Sequence, residues 1–108
     1  MLDNFRFFLY IVPGDFFMNE MENFVKKGLL FDFYGPLLTQ HQQKIYQAVV
    51  LDDYSISEVA EDEGISRQSV HDLIRRCDRQ LEEYEEKLGL VERFRQIQQK
   101  IRELQDLL

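Results

Sequence analysis

The sequence predicts an all-α fold built around a helix-turn-helix, on three observations. From about residue 20 onward, apolar residues recur at intervals of three and four, the period of a helix with one buried face. Glycines and hydroxyl side chains stand where helices would stop and start, at Gly35-Pro36, Thr39, Ser55, Gly64, Ser66 and Gly89. Residues 55–76, SISEVAEDEGISRQSVHDLIRR, set a small residue, a turn glycine and a serine cap at the intervals this motif requires.

Size and charge narrow the classes of function before any motif is weighed. A chain of 108 residues suffices for one domain, and 44% hydrophobic with 31% charged residues is a globular balance. So small a core gains from extra helix packing or self-association. The net charge of −7 opposes indiscriminate nucleic-acid binding, because phosphates repel an acidic protein, yet it leaves room for a local basic face. The lone cysteine, Cys77, excludes an intrachain disulfide, a dithiol redox motif and a cysteine zinc cluster, and it fits a reducing cytoplasm. No apolar run approaches the roughly 18 residues of a membrane span. The run at residues 7–12, FFLYIV, has neither the flank nor the cleavage site expected of a signal peptide.

Residues 1–17 stand apart, holding five of the nine phenylalanines. Charged, helical patterning begins at Met18, so the expectation is an upstream extension before a native start at Met18 or Met21; the alternative is an apolar arm that packs on a partner. Residues 18–88 would form the helix-turn-helix domain and 89–108 a C-terminal helix. Within the domain, Phe24, Leu30, Phe31 and Tyr34 mark a first helix ended by Gly35-Pro36. Thr39 caps a second, which buries Ile45 and Val49 and runs to about Leu51 before a turn at Asp52-Asp53-Tyr54. Ser55 and Glu58 have capping-box spacing at the start of a short third helix carrying Ile56, Val59 and Ala60. Gly64 stops it in a left-handed conformation. Ser66 caps a long fourth helix with Val70, Leu73, Ile74, Cys77, Leu81, Tyr84 and Leu88 inward. Gly89 breaks it, and a last helix carries Leu90, Val91, Phe94, Ile97, Ile101, Leu104 and Leu108. Its spacing is heptad-like from Ile97, while the step Val91–Phe94–Ile97 interrupts the register.

In a DNA-reading helix-turn-helix, the N-terminal residues of the second helix face the major groove. Here they are Ser66, Arg67, Gln68, Ser69, His71 and Asp72. Arg67 suits guanine and Gln68 suits adenine, by the geometry of their donor and acceptor pairs. Arg75, Arg76 and Arg79 are placed for phosphates. Residues 66–79 carry four arginines against Asp72 and Asp78, whereas residues 52–63 carry six acids and no base. The motif is thus half suited to nucleic acid and half repelled by it, and a protein or RNA docking scaffold is the competing use of the same fold.

Other groups carry less. His41 and His71 have no metal-ligand company, and no metal or cofactor is expected. Glu82, Glu83, Glu85 and Glu86 read mostly as a solvated acidic face, and Cys77 as a packed thiol. No glycine-rich phosphate loop and no nucleophile–base pair is visible, so no enzyme is expected.

The segments LLFDFYGPLLTQHQQKIY (29–46), LDDYSISEVAEDEGISRQSVHDLIRR (51–76) and LEEYEEKLGL (81–90) resemble the YlxM family of small bacterial proteins. The helix-turn-helix portion is also similar to region four of sigma factors. The resemblance implies an all-α, winged-helix-like or sigma-region-four-like fold, with a long recognition helix and no enzymatic activity. It also implies an association with the signal recognition particle (SRP) pathway, inferred for the family from gene neighbourhood. Two positions depart from the pattern. Glu63 precedes the turn glycine where a bulky apolar residue is usual, which questions the tightness of the turn. His71 takes a place that is often aromatic.

The expectation is therefore a cytoplasmic regulator that binds DNA or SRP RNA. Arg67, Gln68 and His71 would make specific contacts, and Arg75, Arg76 and Arg79 electrostatic ones. The alternative is a protein-interaction module that docks on an SRP-pathway GTPase without touching nucleic acid. A homodimer through the C-terminal helix suits either.

Overall fold

The structure, a computed structural model, describes residues 18–108. The expectations placed on residues 1–17 lie outside the described residues. Five helices follow one another, with no strand among the described residues and so no β-wing beside the motif there. They are α1 (Met18–Tyr34), α2 (Gln40–Tyr46, continued by a π-helical turn, Gln47–Leu51), α3 (Ile56–Glu63), α4 (Arg67–Leu88) and α5 (Leu90–Leu107).

Helix α1 buries Val25, Leu29, Leu30 and Tyr34, with Phe24 and Phe31 at the margin of the core. Val25 and Leu29 are inward positions beyond those read from the sequence. A single 3₁₀ turn, Gly35–Leu37, follows where Pro36 ends the α-helical pattern. Thr39 then opens α2 with a complete capping box: its hydroxyl accepts the Gln42 N–H at 3.1 Å, and its own N–H donates to the Gln42 side chain at 3.0 Å. Ile45 and Tyr46 are fully enclosed, and the Phe31 ring stacks on Tyr46 at 5.6 Å between centroids. After the π turn the chain reverses through Asp53 at φ 62°, a left-handed conformation that aspartate tolerates.

The motif itself forms as its residues dictate. The Ser55 hydroxyl accepts the Glu58 N–H at 3.1 Å, but the Glu58 side chain does not return a bond to the Ser55 N–H, so only half of the expected capping box forms. Gly64 sits at φ 67°, where its N–H donates to the Glu61 carbonyl and the Ile65 N–H to the Ala60 carbonyl. That pair of bonds is a Schellman ending, which satisfies two otherwise orphaned carbonyls. Glu63 does not loosen the turn. Its carboxylate reaches back to the Lys44 ammonium at 2.8 Å and ties the end of α3 to α2. The attraction of Lys44, above all through this hydrogen bond, holds the Glu63 carboxyl below its ordinary range.

Helix α4 is the central element, packed by α1, α2 and α3. Val70, Leu73, Cys77 and Leu81 form its buried row, with Ile74 and Tyr84 half-buried; Leu88, expected inward, is exposed. Gly89 at φ 62° ends it and starts α5, but a glycine offers no side chain to cap the new helix. Glu85 supplies the cap from one turn earlier. Its carboxylate accepts the N–H groups of Val91 and Glu92, both at 3.0 Å, and the Tyr34 hydroxyl at 2.6 Å. Tyr34 in turn accepts the Leu90 N–H at 3.1 Å. Val91 is buried and Phe94 packs edge-on to Phe33 at 5.7 Å, so α5 docks on α1 through its first turn and a half. Glu85 is therefore a structural member of the acidic run rather than part of a solvated face.

Candidate nucleic-acid interface

All nine positions read as contacts from the sequence are solvent-exposed: Ser66, Arg67, Gln68, Ser69, His71, Asp72, Arg75, Arg76 and Arg79. They lie on one helix start and its following three turns, because the Schellman turn delivers Ser66 to the surface with α4 pointing away from it. The Ser66 hydroxyl accepts the Ser69 N–H at 3.0 Å and donates to the Ser69 hydroxyl at 2.9 Å, so both serines fix the helix start.

At about 100° per residue, the exposed positions sort into a crest and two flanks. Gln68, Asp72, Arg75 and Arg79 form the crest, opposite the buried row. The Gln68 amide donates to Asp72 at 3.0 Å, and the Arg75 guanidinium stands 3.9 Å from the same oxygen. Asp72 thus orients its neighbours on both sides. Arg67 and His71 occupy one flank, and Ser69 and Arg76 the other.

Arg76 and Ser69 face the first turn of α2. Together with Thr39, His41 and Gln42 they wall a shallow groove of about 290 Å³ floored by Ile65 and Leu73. His41 and Gln42 were not among the positions read as contacts, since only the crossing of α2 over α4 brings them beside Arg76. A weak local signal existed, because a Thr39-capped helix start holds them at the surface.

Asp78 corrects the charge balance of this face. It accepts the Tyr46 hydroxyl at 2.7 Å and pairs with Lys27 at 3.8 Å, so it is drawn toward α1 and α2. The outward side of residues 66–79 therefore carries four arginines against Asp72 alone. Burial, with help from the Asp78 hydrogen bond, pushes the Tyr46 phenol far above its ordinary value. On the neighbouring α3, Glu58, Glu61 and Asp62 remain exposed, so the basic face has an acidic border. Cys77 lies beneath the arginines, fully enclosed, and burial pushes its thiol up to about 11. A thiol held neutral in this way is packing, not a nucleophile. No cluster of three metal-ligating side chains occurs among the described residues, and no described helix is long and apolar enough to cross a membrane.

Comparison with known proteins agrees with this architecture. A UPF0122 protein of Symbiobacterium thermophilum is 47% identical over 88 residues, covering 82% of each chain. One from Caldanaerobacter subterraneus is 44% identical over 79% of this chain and 73% of its own. Another, from Bacillus cereus, is 43% identical over 82% of this chain and 80% of its own. Residues 21–108 match the family model described as "Putative helix-turn-helix protein, YlxM / p13 like". With a left-handed glycine between two capped helices and relatives aligned along most of its length, the chain belongs to the UPF0122 family of YlxM-like helix-turn-helix proteins.

Proposed function

We propose that the protein is a non-enzymatic, cytoplasmic regulator that binds nucleic acid through α4, with residues 18–88 as the reading domain and residues 89–108 as an appended helix. The observation that carries this reading is the solvent exposure of Arg67, Arg75, Arg76 and Arg79 along the N-terminal half of the second motif helix. Arg67, Gln68 and His71 are the candidates for contacts to base edges, and Arg75, Arg76 and Arg79 for contacts to phosphates. Participation in the SRP pathway, with DNA or SRP RNA as the target, is supported by the family resemblance alone. Crosslinking in cells followed by sequencing of bound DNA and RNA tests the reading directly. In solution, Arg67→Ala plus Arg75→Ala should weaken binding by about a hundredfold, two charged contacts at 1–3 kcal/mol each. Affinity unchanged in that variant removes α4 from the reading.

One observation favours a second reading. Glu58, Glu61 and Asp62 line the helix that crosses the nucleic-acid backbone in related docking geometries, where acids repel phosphate. A basic protein surface, such as that of an SRP-pathway GTPase, would meet them favourably. Partner capture that survives nuclease treatment and fails when these acids are neutralised supports this alternative.

A further inference from the structure

Helix α5 has two apolar faces, and the body of the protein covers one of them. Val91 and Phe94 turn toward α1, and half-buried Gln98 and Arg102 continue that side along the helix. A second row, Leu90, Ile97, Ile101, Leu104 and Leu108, keeps heptad spacing and lies roughly 60–100° away around the helix. The break at Val91–Phe94–Ile97 marks the step from one row to the other. The second row is open: Ile97 is 51% exposed, Leu104 62%, and Leu90, Ile101 and Leu108 are exposed as well. Apart from Leu37 and Tyr54, every exposed large hydrophobic among the described residues lies at or beyond Leu88.

We propose that this row is the self-association surface of the protein, and that its occupant is the same row of a second copy. Three arguments select a second copy. Residues 90–108 carry Arg93, Arg95, Lys100 and Arg102 against Glu92, Glu103 and Asp106, a formal +1 within a chain of −7. This is a segment on which two acidic molecules meet with little like-charge repulsion. The positions flanking the row are Arg93, Lys100 and Leu107 on one edge and Gln98 and Gln105 on the other, with no acid among them, so a parallel pairing sets each cation beside a glutamine rather than beside a like charge. A fully exposed aliphatic side chain can remove roughly 100 Å² from water, so this row with Leu107, already partly covered, offers about 400 Å² per copy. The stems of the flanking residues extend that area toward the ~800 Å² per partner of a standard interface. The proposal does not depend on nucleic-acid binding.

Sedimentation equilibrium of the intact chain tests it. A reversible dimer should form below about 100 μM, little affected by salt. Ile97→Glu plus Ile101→Glu should raise the dissociation constant by about a hundredfold or more while leaving the helical circular dichroism signal and thermal midpoint of the monomer unchanged. Leu37→Glu, at an exposed apolar site elsewhere, should leave the dimer intact. An intact chain that stays monomeric throughout overturns the proposal, as does a dimer indifferent to the double substitution. A chain that pairs only after removal of residues 1–17 also overturns it, assigning the row to that segment instead.

Discussion

Glu85 gathers three donors from two parts of the chain, and its ionised state is what holds them. Burial alone would raise its carboxyl; the Tyr34 hydroxyl and the N–H groups of Val91 and Glu92 outweigh this and lower it below the ordinary 4.5. A carboxyl lowered by folding stabilises the fold fully above its unfolded value. That contribution is lost as pH falls through the lower, folded value. Glu85→Ala should cost about 2–3 kcal/mol near neutral pH, since it leaves partly buried donors unpaired. The gap between variant and parent should narrow as the pH drops below about 4.5. Urea denaturation at both pH values measures this, and a gap independent of pH would remove the carboxylate from the corner. Cys77 gives a second test at this scale. With the thiol pushed up to about 11 and no solvent access, it should resist maleimide at about pH 8 and react fully in urea. Rapid labelling of the native chain would contradict the packing of α4.

Two glycines that punctuate the elements, Gly64 and Gly89, have a purely conformational cost on substitution. A Cβ at Gly64 or Gly89 would meet nothing within 4 Å, yet both backbones are left-handed, at φ 67° and 62°. Gly64→Ala and Gly89→Ala should each destabilise by about 1–2 kcal/mol, and Ser66→Ala by about 1 kcal/mol through loss of its cap. Thermal melts check these values; an unchanged midpoint for Gly64→Ala would mean that the motif turns by another route. These are also the features that could be read from the chain. Thr39, Ser55 and Ser66 announce helix starts through short-range bonds, and the row Val70–Leu73–Cys77–Leu81 announces a face through its period. What escaped were pairings with no local signature. Tyr34 and Glu85 are 51 residues apart, Tyr46 and Asp78 are 32 apart, and Glu63 meets Lys44 across two helices. Each depends on how helices cross, which periodicity does not specify. For the same reason exposure of the candidate contacts was legible, whereas the withdrawal of Asp78 and the approach of His41 to Arg76 were not.

At the scale of the whole molecule, a chain of net charge −7 presents one arginine-rich face with acids along its border, and these two fields make opposite demands on a polyanion. If Arg75, Arg76 and Arg79 each meet a phosphate, the logarithm of affinity should fall with that of salt at a slope of about −2.7, or −0.9 per contact. Removing one arginine should flatten the slope by about that increment. Neutralising the border with Glu58→Gln, Glu61→Gln and Asp62→Asn should act in the other direction and tighten binding. The gain should be largest at low salt and fade once the Debye length shrinks to about 8 Å, because it arises from repulsion at a distance rather than from a contact. Stability should change little, since none of the three side chains belongs to the core. Fluorescence anisotropy on a short duplex, between about 50 and 200 mM salt, reads both effects. A flat salt dependence combined with no gain from neutralisation would detach both fields from nucleic acid. The acids on α3 would then be better explained as the contact for a basic protein partner.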